Sequence, residues 1–146
     1  MAVTQLYPNA ALKNIGDGDF SFGTDTFKLM LLANTFSPNI DSDTTEADVE
    51  ADEIAIGGGY TGAVTLTAVS WLQDNTNDRV AFDFADVMFA ASTITARYAA
   101  IFKENGGASS GNPLLVIIDF GADQSSSGTT FEIRLNSVGL FIVQQA

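Results

Sequence analysis

Apolar and polar residues alternate along most of this chain with the two-residue period of β-strands. In Thr129–Leu135, Phe131, Ile133 and Leu135 share one side and Thr130, Glu132 and Arg134 the other, which predicts a strand with one wet face. Ser92–Phe102 carries the longest clean alternation, with Ile94, Ala96, Tyr98, Ala100 and Phe102 opposed to Thr93, Thr95 and Arg97. Two further stretches are apolar almost throughout. Pro113–Phe120 and Thr26–Asn34 read as strands buried on both faces, with Lys28 as the exception in the second.

Shorter signals fill the gaps. Phe20–Phe22 and Ile54–Ile56 are expected as short strands, and a longer one runs from Val64 past Trp71 to Leu72. Arg79–Phe84 places Val80, Phe82 and Phe84 on one face and is the hairpin partner of the Trp71 strand across the turn Asp74–Asp78. Gly139–Gln144 closes the chain. Glycine-, serine- and asparagine-rich loops occupy Gly57–Gly62, Glu104–Pro113 and the acidic turn Gly121–Gly128, which is flanked by the strands Pro113–Phe120 and Thr129–Leu135. Ala10–Ile15 offers about one and a half helical turns after the turn at Tyr7-Pro8-Asn9. Residues 1–19 are therefore an N-terminal arm or short helix, either a frayed terminus or an arm that docks on a neighbouring subunit.

Seven to nine strands with almost no helix define an all-β fold: a single-domain antiparallel β-sandwich or jelly roll over residues 20–146, behind that arm. Eleven phenylalanines are available to fill the space between two sheets. The 146 residues suffice for one core of their own, without disulfides.

Charge narrows the partners. Six basic against eighteen acidic residues give a net charge of −12, so phosphate backbones and anionic membranes are repelled, and neither nucleic acid nor membrane is expected as a partner. No apolar stretch approaches the roughly eighteen residues of a membrane span, and the first residues lack a signal-peptide pattern, so a soluble product of the cytoplasm in which it is made is expected. In Asp41–Glu53 seven of thirteen residues are acidic (Asp41, Asp43, Glu46, Asp48, Glu50, Asp52, Glu53). Such a segment buries little, and is expected as a surface loop with at most a helical turn near Thr45–Val49.

Candidate chemistry is sparse. The chain has neither cysteine nor histidine, which removes thiolate metal sites, the usual general base and the commonest transition-metal ligand. Gly57–Gly62 has the letters of a dinucleotide-binding loop, but the β-branched, alternating Val64-Thr-Leu-Thr follows where a helix is needed. Gly107-Ala-Ser-Ser-Gly111 has the letters of a nucleophile elbow without a histidine to activate its serine. Paired carboxylates run glycoside hydrolysis without histidine, which leaves Asp83 and Asp119 to weigh; a carboxylate capping a strand end beside Arg97 or Arg134 is the plainer reading. The acidic segment Asp41–Glu53 offers oxygen ligands for Ca²⁺ but not the glycine-centred loop of an EF-hand, and Asp17-Gly18-Asp19 is no more specific. No catalytic, cofactor-binding or metal residue is assigned.

Three stretches carry a resemblance: Ser92-Thr-Ile-Thr-Ala-Arg-Tyr-Ala-Ala-Ile-Phe, Gly111-Asn-Pro-Leu-Leu, and Ile118-Asp-Phe-Gly-Ala-Asp-Gln-Ser-Ser-Ser-Gly-Thr-Thr-Phe. Together with Thr26-Phe-Lys-Leu-Met-Leu-Leu, Thr35-Phe-Ser-Pro-Asn-Ile-Asp and Gly59-Tyr-Thr-Gly upstream, they resemble small β-rich virion proteins of tailed bacteriophages, over residues 20–143. The resemblance implies a structural component, a decoration or cement protein on the capsid exterior, whose partners are the major capsid protein and further copies of itself. A dimer or trimer at a capsid symmetry axis would turn the acidic segment away from that axis, because clustered carboxylates repel. The alternative within the virion is a tail fibre, baseplate or receptor-binding subunit, for which Tyr60 and Trp71 are the aromatic candidates for stacking on glycans. A carboxylate-based glycan-cleaving enzyme is the third reading.

Overall fold

A computed structural model describes residues 3–144. In chain order the elements are β1 (Thr4–Leu6), α1 (Asn9–Asp17), β2 (Phe27–Leu32), β3 (Val64–Thr65), β4 (Ser70–Asp74), β5 (Arg79–Asp83), β6 (Val87–Ser92), β7 (Thr95–Lys103), β8 (Leu114–Ser125), β9 (Thr129–Ile133) and β10 (Phe141–Gln144). One layer is a five-stranded sheet in the order β1-β8-β7-β2-β3. The other is built from a three-stranded sheet, β10-β5-β4, and a two-stranded one, β6-β9. Every pairing is antiparallel, and the fold is an all-β sandwich. No helix among the described residues is long and apolar enough to cross a membrane.

The main core fills the space between the layers. Phe27, Leu29, Leu31, Ile101 and Leu115 from the first sheet meet Phe82, Phe84, Phe89 and Phe131 from the second. Phe22, from the loop before β2, joins this aromatic cluster with its ring 4.8 Å from Phe82 and 4.9 Å from Trp71. A second core lies on the outer face of the five-stranded sheet, where Met30, Leu32, Ala100, Phe102, Leu114 and Ile117 are covered by Phe36 and Val49. The double burial read from β2 and β8 therefore has a physical cause: each face is covered by a different part of the chain.

Several elements depart from the expected boundaries. Among the described residues there are ten strands rather than seven to nine. Phe20–Phe22 and Ile54–Ile56 are not strands: Phe20 and Phe22 are buried and anchor their loop through their rings, whereas Ile54 keeps one backbone bond, to Leu31 O at 3.0 Å, before the chain turns out to an exposed Ile56. The expected strand Val64–Leu72 is broken at Ala68, whose φ of 51° interrupts an extended chain, and its halves join different layers. At Ala91, φ 48°, a similar irregularity shifts the register inside β6, a strand that the alternation did not reveal, and Ser92 pairs with Thr129 as the last residue of β6 rather than opening β7.

The row Ile94, Ala96, Tyr98, Ala100, Phe102 is split as well. Register slips between Ala96 and Tyr98. Ile94 and Ala96 face the main core, whereas Tyr98, Ala100 and Phe102 face the second core and Ala99 and Ile101 take over the inner side. Likewise β8 runs on to Ser125 through most of the expected acidic turn, and β9 crosses to the other layer to pair with β6. The crossing is held by Ser126, whose Oγ lies 2.8 Å from Ser92 Oγ and accepts the Ile94 N–H at 3.2 Å.

Residues 3–19 lie along their own chain. In β1, Thr4 pairs with Asp119 and Leu6 with Ile117, and the Asn9 N–H donates to Ile40 O at 2.9 Å at the start of α1. Helix α1 buries Ala11 and ends at Gly18 in the left-handed conformation, φ 81°. Met1 and Ala2 of the expected arm, and Gln145 and Ala146 of the domain, lie outside the described residues.

The second core gives the stretch from Phe36 to Val49 a part in stability as well as in the surface. Phe36 is 5% exposed and meets Tyr98 edge-on at 5.4 Å. Phe36→Ala is expected to lower stability by about 3–5 kcal/mol in equilibrium urea unfolding, as for other buried aromatics, whereas a loop side chain would cost a few tenths.

Candidate functional site

The acidic segment is where the chain concentrates its ionisable groups, so its geometry comes first. Two short 3₁₀ turns, Glu46–Asp48 and Glu50–Asp52, lead Val49 into the second core with no exposed surface left on it. The helical turn expected near Thr45–Val49 is present, but the segment is a cover and not merely a solvated loop. Six of its seven carboxylates accept a hydrogen bond from the chain itself. Asp43 takes the Asn39 N–H at 2.7 Å, Asp41 the Asn9 side-chain amide at 2.7 Å and Glu46 that of Asn112 at 2.7 Å. Asp52 takes the Thr35 hydroxyl at 2.8 Å and Glu53 that of Tyr60 at 2.6 Å.

Asp48 is the most committed of them. It accepts the N–H groups of Thr44 at 2.8 Å and Thr45 at 2.9 Å, completing a capping box on the first turn. Those donors hold its carboxyl below the usual carboxylate range. Tyr60 closes the other end: its hydroxyl accepts the buried Leu31 N–H at 3.1 Å while donating to Glu53, and burial followed by the Glu53 hydrogen bond pushes its phenol upward. Among the described residues no three carboxylates converge in a way that could hold a metal ion, and this extends to Asp17 and Asp19.

The other candidates resolve into structural parts. Gly57 and Tyr60 exchange two backbone hydrogen bonds of 2.9 Å each around Gly58 and Gly59, a tight hairpin turn that runs on toward β3 and not into a helix. Gly58, φ 56°, lies so close to Thr93 that an added Cβ would stand 2.4 Å from its carbonyl oxygen, which explains the glycine without any ligand. Ser109–Gly111 is a 3₁₀ turn in the hairpin loop between β7 and β8. Neither loop has the strand-to-helix setting its motif requires.

Asp119 stands on β8 and Asp83 on β5, in different sheets. Asp119 is held by Arg97, with Nε to Oδ1 at 2.9 Å, and also accepts the Gly121 N–H at 2.7 Å. It is the strand carboxylate beside Arg97 that the sequence suggested as the plainer reading. Tyr60 is 1% exposed and lies in the core, whereas Trp71 is half-buried against the core's edge and stacks on Phe141 with centroids 6.1 Å apart.

A large concavity among the described residues was not legible in the sequence. An open groove of about 950 Å³ runs between β9 on one side and β1 and β8 on the other, with Ile118, Phe120, Phe131, Ile133 and Leu140 in its lining. It exists because β9 leaves β8 for the other layer, so that the sandwich gapes along this side. A hairpin joining β8 to β9, as the flanking strands suggested, would have closed it.

Compared with known protein-family models, curated proteins and solved structures, the chain matches none.

Two outcomes test the account of the acidic segment. Tyr60→Phe leaves the buried Leu31 N–H without its acceptor and should lower stability by about 1–3 kcal/mol in urea unfolding, with the fold retained by circular dichroism. The Asp48 carboxyl is more acidic in the fold than in the unfolded chain, where its value is about 3.9. Its contribution is therefore complete above that value and is lost as pH falls through the lower, folded one. Asp48→Ala should cost about 1 kcal/mol at neutral pH, and the gap from the parent protein should narrow steadily in unfolding curves taken below about pH 4.

Proposed function

We propose that this chain is a structural protein of a tailed-phage virion, a decoration or cement protein that binds the outside of the capsid and stabilises it. The observation that carries the proposal is the resemblance of residues 92–102, 111–115 and 118–131 to small virion proteins of these phages.

The architecture supports this reading in three ways. The largest side chains are locked between two layers and beneath a second cover, which suits a part that must stay rigid on a shell. The carboxylates that suggested chemistry are engaged by the chain's own donors or stand in separate sheets. The acidic cover occupies one face of the five-stranded sheet, leaving the edges of the sandwich and the other layer for contact with the major capsid protein and with further copies. Placement in the tail as a glycan reader is less well supported, because Tyr60 is buried and the half-buried Trp71 is packed against Phe22 and Phe141 of its own chain.

The decisive experiment mixes the purified protein with mature, expanded heads that lack it. Co-sedimentation with the heads and an increased resistance of the loaded particles to heat or chelator are the expected results. Failure to bind mature shells while remaining folded would overturn the proposal.

A further inference from the structure

We propose that the open edge of β9 is a self-pairing surface, on which a second copy of this chain adds its own β9 antiparallel across a two-fold axis at Ile133. β9 pairs with β6 along one edge and has no strand partner along the other among the described residues. The direction of its backbone groups follows from two contacts. Thr129 O accepts the hydroxyl of Ser92 on β6, and the Leu135 N–H donates to Asp86 beside the start of β6. The odd-numbered residues thus point their backbone groups at β6, and Thr130, Glu132 and Arg134 present theirs to the open edge.

That parity restricts the registers available to two identical edges. Residues that exchange hydrogen bonds across the new interface must both be even-numbered, so a two-fold axis falls on a residue and not between residues. An axis at Glu132 sets Glu132 against Glu132 of the second copy, a like-charge pair directly opposed. An axis at Phe131 leaves Arg134 opposite Gly128. An axis at Ile133 pairs Glu132 with Arg134 twice, by symmetry, and sets Phe131 against Leu135 and Ile133 against itself.

Both charged side chains are already positioned for this. Arg134 is 71% exposed and lies against Glu132 at 2.8 Å and Asp86 at 3.7 Å, at the rim of the groove that Glu132 and Arg134 both line. The pairing extends β9 by two residues and joins two copies into a continuous β6-β9-β9-β6 sheet. It also brings the two grooves together, so that Phe131, Ile133 and Leu135 of each copy meet along the gaping side. This deepens the proposed function by naming how copies contact one another, and it is tested on the purified chain without capsids, so its failure leaves the capsid proposal standing.

Sedimentation velocity over a graded concentration series should show a monomer–dimer equilibrium. Glu132→Arg opposes two arginines in each pair and should weaken dimerisation at least tenfold, and the double swap Glu132→Arg with Arg134→Glu should restore it, with thermal unfolding confirming that each variant is folded. Ile133→Cys supplies an independent reading, since the chain has no cysteine of its own and a non-hydrogen-bonded antiparallel pair has the spacing of a disulfide. Under mild oxidation it should give a covalent dimer, and Met88→Cys, exposed on the neighbouring strand, should not. A parent protein that remains monomeric throughout, a dimer indifferent to Glu132→Arg, a double swap that fails to restore, or equal cross-linking at both cysteines would each overturn the inference.

Discussion

The five-stranded sheet is apolar on both faces, and the rest of the structure answers that fact. Its central strands β2, β7 and β8 place Leu29 and Ile101 on one side and Met30, Phe102 and Ile117 on the other. A sandwich ordinarily leaves the outer face of each sheet to water. Here that face needs a cover, and the cover is the most acidic stretch of the chain. The conflict is settled locally: Phe36 and Val49 turn inward, while the carboxylates beside them accept N–H and O–H groups that the irregular backbone would otherwise leave without partners.

Much of this was legible in the residue pattern. The strands at Phe27–Leu32, Arg79–Asp83 and Thr129–Ile133 follow from period and composition alone, as does the hairpin of β4 and β5. The breaks were hidden because they fall on the wrong residue type. Ala68 and Ala91 adopt positive φ, where glycine or asparagine would have announced a turn, so the alternation reads straight through them. The bulge near Arg97 is similar: the slip moves every later side chain of β7 to the opposite face, yet both faces are apolar and the sequence carries no mark of the exchange.

The concavity was illegible for a different reason. Ser126–Gly128 is short enough to be a hairpin turn, yet Ser126 is bonded to Ser92 and Ile94 and β9 goes on to pair with β6 in the opposite layer. A buried hydroxyl pair far apart in sequence pins the crossing, together with the β6–β9 ladder that follows it, and no local pattern encodes either. The candidate carboxylates show the opposite case. That Asp119 would sit beside an arginine could be anticipated from the sparse basic residues, whereas its placement in a different sheet from Asp83 could not.

The acidic segment has the makeup of a generic solubilising tail, and by composition alone any permutation of it would serve equally well. The fold imposes the reverse. Six of the seven carboxylates meet a particular donor, and Val49 occupies the single inward position between two turns. A shuffled version with identical charge and identical residue counts would strip the lid from the sheet beneath it, so what is inherited in this stretch is spelling and not merely acidity.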